Sequence, residues 1–200
     1  MKGKSGDKIH SDVWIHTHAL VDAGARIGTR TRVWAFAHIL SGAVIGEECN
    51  ICDHSFIEGN VVLGNRVTVK CGVYLWDGVK AEDDVFIGPA VVFTNDLKPR
   101  SRQYPESYAE TFLQQGCSIG ANSTIIAGTT IGAWSLIGAG SIVTKDVPAY
   151  GVVWGNPAKF QYWMCKCTER ICFEDSDKFV CHCGKIYELD TEGKKVKLCP

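Results

Sequence analysis

The chain has 200 residues, and its 21 lysines and arginines nearly balance its 22 aspartates and glutamates. With a formal charge of −1 and no basic stripe, a nucleic-acid partner is not expected. Residues 1–14 hold no apolar leader core, and no apolar run reaches the ~18 residues that span a bilayer, so a cytoplasmic protein without a membrane segment is expected.

From Ile9 onward a strict period dominates. Every sixth residue from Ile9 to Phe93 is apolar, as in Ile9, Ile15, Val21, Ile27, Val33 and Ile39. Four places after each stands a small or β-branched residue, such as Val13, Ala25, Thr31, Cys49, Ser55 and Val67. The frame breaks over 99–112, resumes at Leu113 and runs to Val143. A period of six fits neither a 3.6-residue helix nor a heptad. It fits a short strand and a tight corner, repeated, with both marked positions pointing inward. Three sides close a coil of eighteen residues, and coils stack as parallel strands. The expected fold is all-β: a parallel β-helix of about seven coils over 1–160, with one excursion loop at 99–112 and a small Cys-rich tail over 161–200.

Eighteen-residue stacking turns sequence into columns. Glu58, Trp76 and Thr94 form one; Gly59, Asp77 and Asn95 form the next; His38, Phe56, Tyr74 and Val92 form a third before the same corner. Polar and aromatic groups therefore collect along one edge. The excursion leaves the repeat just past Asn95, and a long insertion in a strict repeat is usually functional. Its Arg100, Arg102, Tyr104 and Glu106 suit a nucleotide-sugar.

The hexads resemble those of the left-handed β-helix acyltransferase family. The stretches from Val73 to Gly78, Glu82 to Pro89 and Phe93 to Asp96 are similar to sugar N-acetyltransferases that modify dTDP-3-amino-3,6-dideoxyhexoses. A related branch acts on UDP-linked 3-amino-glucuronates and carries paired asparagines where this chain has Cys71-Gly72, which favours the dTDP branch. The resemblance implies a left-handed coil, a homotrimer with sites between neighbouring prisms, and acetyl-CoA as acyl donor. It further implies a pantetheine track along Ala121, Ala139 and Ser141, with Lys159 near the coenzyme A phosphates. A structural or carbonic-anhydrase-like hexapeptide protein is the competing reading, but His16 and His38 make no tidy histidine triad with a third.

Magnitudes bound the chemistry. A sugar amine with a pKa of about 8 is roughly one-tenth neutral at pH 7. Alignment with the thioester is worth ~7–11 kcal/mol, a general base only ~10²–10⁴-fold. Asp77 is the expected group for orienting the amine and accepting its proton, with Glu58 and His54 as alternatives. His38, His54, Phe56, Tyr74, Trp76, Asn95, Asp96 and Arg100 are expected to meet the substrate. Cys71 is not expected as a nucleophile, because acetyl-CoA is already a thioester.

After Phe160 the composition changes. Of the ten cysteines, Cys165, Cys167, Cys181 and Cys183 form two close pairs, with Gly184 behind the second. Four soft thiolates suit a structural zinc, with Cys172 or His182 as substitutes. The pairs are spaced C-x-C rather than C-x₂-C, and a hairpin tail whose thiols only pack is the alternative.

Overall fold

The computed structural model of the protein describes residues 8–173, 176–190, 192–193 and 195–199. Twenty-one strands of two or three residues, β1 (Lys8–Ile9) to β21 (Ile142–Val143), follow one another around a triangular prism. Each strand pairs in parallel with the one three places later: Lys8 faces Arg26, Ile9 faces Ile27, Trp14 faces Arg32, Leu20 faces His38. The first face runs from β1 to β19, the second from β2 to β20 and the third from β3 to β21.

The two inward positions behave as the period requires. Ile27, Val33, Ile39, Ile51, Ile57, Val69 and Ile87 are buried, and so are the corner residues Ala25, Thr31, Ala37, Ala43, Cys49 and Ser55. Ile9, Val13 and Ile15 are only half-buried, as no coil among the described residues lies beneath the first one. The inward hydroxyls are satisfied locally. Thr31 Oγ1 donates to Gly46 O at 2.8 Å and accepts from Cys49 N at 3.0 Å. Coils stack so closely at the corners that a Cβ on Gly46 would lie 2.4 Å from Gly64 O, so only glycine fits there.

The excursion departs after β15 (Val92–Phe93) and the ladder resumes at β16 (Thr111–Leu113). It therefore ends at 110, two residues earlier than the hexad count places it. Thr111 already fills the small inward position, 1% exposed, and Phe112 pairs with Lys80. An eighth, partial coil caps the seven expected. Val147 bridges to Ile131, and β22 (Gly151–Gly155) stacks on the last strand of the second face, with Leu136 opposite Val152. The hexad spacing is lost there, so its periodicity could not reveal this coil.

Past a cis Asn156–Pro157 bond, β23 (Ala158–Met164) folds back antiparallel on β22 and pairs with β24 (Arg170–Ile171). The strands β25 (Lys178–Val180), β26 (Ile186–Leu189) and β27 (Val196–Leu198) make a separate antiparallel sheet. The tail has its own small core of Tyr150, Trp163, Cys165, Ile171, Cys181, Tyr187 and Val196, against which Trp134 and Ala149 pack. β23 belongs to both regions, starting beside the prism and ending in this core. Among the described residues no helix is long and apolar enough to cross a membrane.

Candidate active site

The three edges of the prism carry different chemistry. Between the first and second faces, Arg30, Glu48, Arg66 and Asp84 stack in left-handed corner conformations and pair in twos. Arg30 Nε donates to Glu48 Oε1 at 3.0 Å, and Arg66 Nε to Asp84 Oδ1 at 2.6 Å. The Arg66 hydrogen bond holds Asp84 below the usual carboxylate range; Asp83 is held down first by the backbone N–H of Asn65.

Between the second and third faces the early coils stack rings: His18 on Phe36 at 5.6 Å and Phe36 on His54 at 5.0 Å, both nearly parallel. The same corner then becomes small: Gly72, Ala90, Asn122 and Gly140. Ala139 is exposed and Ala121 half-buried beside this smooth strip, whose backbone an extended thiol chain can approach. Ser141 is buried in the prism, its Oγ donating to Gly138 O and accepting from Gly155 N, and its carbonyl accepting from Thr124 N at 2.7 Å. Lys159 is exposed on β23.

The third face presents His38, Phe56, Tyr74 and Val92 in the stacked column that eighteen-residue spacing implies. A hollow of about 350 Å³ lies on it, lined by Phe36, His38, His54, Ser55, Phe56, Tyr74 and Trp76. Trp76 is fixed by its indole N–H, which donates to Phe93 O at 2.9 Å. His38 Nε2 lies 3.4 Å from Asp22 Oδ1.

Asp77 lies across the next corner. It lines a different hollow, of about 510 Å³, with Asn60, Lys80 and the loop residues Glu106, Ser107, Tyr108 and Glu110. Trp76 and Asp77 are neighbours in sequence, but Asp77 already lies in the corner turn onto the first face and lines a different hollow from Trp76. Asp77 Oδ1 accepts from Asn60 N at 2.9 Å and Oδ2 from Asn60 Nδ2 at 3.2 Å, while Glu58 Oε2 accepts from Asp77 N at 2.6 Å. Both carboxylates thus tie one coil to the next. Asn95 and Asp96 line a third hollow with Leu97, Lys98 and Pro105, and Asp96 Oδ1 accepts from Lys98 N at 2.8 Å. Arg100 is exposed and donates to Pro99 O.

A further concavity lies away from the His38 and Asp77 columns. Trp14, Arg32 and Trp34, with Asp12, Arg30 and Thr31, line a hollow of about 510 Å³ on the second face. The two indoles meet edge-on at 5.0 Å. They are twenty residues apart rather than eighteen, so they never share a column.

In the tail, Cys165, Cys167, Cys181 and Cys183 converge, with all four Sγ atoms within 4.8 Å of one another. Cys172 and His182 are not among them. Burial opposes ionisation of the Cys165 thiol, but hydrogen bonds from Cys167 N–H, the Tyr187 hydroxyl and neighbouring thiols hold it down at about 6.

A stacked hexapeptide prism with a long excursion at one edge defines a class, the bacterial transferases with hexapeptide repeats, and residues 24–59 and 110–145 match that family. The chain belongs to this acyltransferase family, and its coil is the left-handed parallel β-helix. It is 54% identical over 175 residues to dTDP-3-amino-3,6-dideoxy-α-D-galactopyranose 3-N-acetyltransferase of Aneurinibacillus thermoaerophilus, covering 88% of this chain and 90% of that one. It is 30% identical to the bifunctional protein GlmU of Heliobacterium modesticaldum, over 68% of this chain but only 38% of that protein. Among solved structures, UDP-N-acetylglucosamine acyltransferase of Francisella novicida shares the fold, with a TM-score of 0.55 at 16% identity, over 80% of this chain and 70% of that one.

Proposed function

We propose that the protein transfers an acetyl group from acetyl-CoA to the amino group of a dTDP-linked 3-amino-3,6-dideoxyhexose, in the cytoplasm, as a step in surface-glycan synthesis. The 54% identity across 90% of the Aneurinibacillus thermoaerophilus enzyme carries this reading. The prism supports it with a smooth edge for pantetheine, an aromatic hollow for a ring, and an excursion loop beside a carboxylate. Residues 1–160 are the proposed catalytic region, and 161–200 an appendage.

The smooth edge and the Asp77 edge belong to different corners of one prism. A site that uses both needs the corner of a neighbouring chain, and the exposed Leu20, Phe36, Tyr74 and Val92 offer apolar surface for that neighbour. A homotrimer is therefore the proposed assembly. Within it, the backbone near Ala121, Ala139 and Ser141 guides the pantetheine, Lys159 meets phosphate, and the loop with Asn95, Asp96 and Arg100 closes on the nucleotide-sugar. His38, Phe56, Tyr74 and Trp76 contact the substrate. Asp77, held by Glu58, orients the amine so that its lone pair faces the thioester carbonyl and accepts the proton as the C–N bond forms and coenzyme A leaves. A second reading has one observation in its favour: His54 lies on the smooth edge itself and in the aromatic hollow, so its imidazole is placed to take that proton.

Thiol release from acetyl-CoA, measured with a panel of dTDP- and UDP-linked 3-amino sugars, tests the activity. Turnover is expected with the dTDP-linked 3-amino-3,6-dideoxyhexoses, and its absence with all of them refutes the assignment. Asp77→Asn, compared with His54→Asn at pH 7 and pH 9, separates the two acceptors: the true one lowers kcat/KM by about 10²-fold or more, the other by only a few-fold.

A further inference from the structure

The tail holds a cluster of soft donors that acetyl transfer does not use. It is built from two turns of the same design. In the first, Thr168 N donates to Cys165 O at 2.8 Å, and Cys165 N to Glu169 O at 2.8 Å. In the second, Gly184 N donates to Cys181 O at 2.8 Å, and Cys181 N to Lys185 O at 2.9 Å. The fourth residue of each turn is left-handed, Thr168 at φ 74° and Gly184 at φ 83°. A β-branched residue adopts that conformation only where its surroundings impose it. Each turn presents two thiols on one side, and the two turns face each other.

The sulfur geometry matches a metal cage. Cys165 and Cys183 Sγ are 3.5 Å apart, Cys165 and Cys167 3.3 Å, and Cys167 and Cys181 3.5 Å. Four thiolates at a Zn–S distance of about 2.3 Å on a tetrahedron stand about 3.8 Å from one another. Tyr187 Oη donates to Cys165 Sγ at 3.1 Å, and Cys167 N to the same sulfur at 3.5 Å, the outer hydrogen bonds that thiolate ligands use. The tail of 161–200 is also small: below roughly 70–80 residues a single core rarely suffices, and disulfides, a metal or a partner usually add stability.

We propose that Cys165, Cys167, Cys181 and Cys183 bind one zinc ion in a closed structural site that locks the tail onto the end of the prism. Binding releases the protons of whichever ligands are still thiols and leaves a centre of two negative charges overall. The clamp reaches the prism through Tyr187, which packs edge-on against Tyr150 at 5.2 Å, and through Lys166, whose ammonium lies 4.3 Å from the Trp134 ring centroid.

The test uses the full chain, purified without chelator from zinc-replete medium, and reads metal rather than acetyl transfer, so it stands whatever the substrate proves to be. Elemental analysis should find one zinc per chain, and exchange with cobalt(II) should give the charge-transfer absorption of tetrahedral thiolate cobalt. Cys181→Ser and Cys183→Ser should each lose the metal while the β-sheet circular dichroism of the prism persists; Cys172→Ser and Cys199→Ser should keep it. Wild-type protein with no zinc and no cobalt-thiolate band overturns the proposal. So does an intact mass that shows the four cysteines as disulfides, stoichiometric iron in place of zinc, or zinc retained by both ligand variants.

Discussion

The prism and the tail solve the same problem with different means. The prism repeats one small solution: each coil buries an aliphatic and a small residue per side, and its backbone bonds the coil above and below. Its core runs unbroken from Ala25 to Val153. The tail has no hexad repeat; among its described residues six are buried in a core shared with Tyr150, and four thiols converge. Stability in a stack grows with each added neighbour, whereas a small module depends on a few irreplaceable groups. The two regions should therefore respond differently to single changes.

The largest effect is expected inside the prism. Ile87 is fully buried between Val69 and Ile119 on the second face. Ile87→Asp places a carboxylate with no partner there and should cost more than about 4 kcal/mol. Loss of soluble, β-rich protein by circular dichroism is the expected readout. A variant that melts within a few degrees of the parent would show that the stack is not one cooperative unit.

Excising 97–110 should have the opposite character. It joins Asp96 to Thr111 and restores the hexad, because Thr111 already holds the small position before Leu113. The circular dichroism should persist, while kcat/KM for the sugar should fall by about 10²-fold or more through lost positioning. Full turnover after excision would remove the loop from the site.

Tyr187→Phe is a smaller, local change. It deletes the hydroxyl that bonds Cys165 Sγ and accepts from Lys166 N at 3.1 Å. The tail should lose about 1–3 kcal/mol, seen as faster proteolysis or alkylation after 160 with the main melting transition unmoved. A matching drop in that transition would mean that prism and tail unfold together.

Arg66→Ala should do least, since exposed ion pairs contribute little. Asp83 and Asp84 titrate below the ordinary carboxylate range in the folded chain. The stability they add is present above the unfolded value of about 4 and is lost as pH falls through the folded values. The urea midpoints of parent and variant should therefore differ slightly at pH 7 and converge at strongly acidic pH. A difference that persists there would point to lost packing of the Arg66 stem instead.

Much of the candidate site's layout was legible because the repeat converts eighteen residues of sequence into one step of stacking. His38, Phe56 and Tyr74 share a column for that reason alone, and the close cysteine pairs announced their convergence by composition. What misled was adjacency. Trp76 and Asp77 read as one cluster, but Asp77 opens the corner turn and lines a different hollow, where each of its oxygens accepts one hydrogen bond from Asn60. Ser141 read as a ligand contact and is a core hydroxyl. The coil at Gly151–Gly155 stands off the hexad register: Val147, in frame as a small position, pairs with Ile131 instead, so periodicity was blind to that coil.

By itself, then, the sequence determined the β-helix, its coil length, its inward residues and the site of its insertion, since burial in a stack is decided residue by residue at fixed spacing. Only the tertiary structure decided which face each corner residue looks onto and which carboxylates tie one coil to the next. Those outcomes depend on where the chain turns and on partners outside the repeat register, and no periodic signal encodes either.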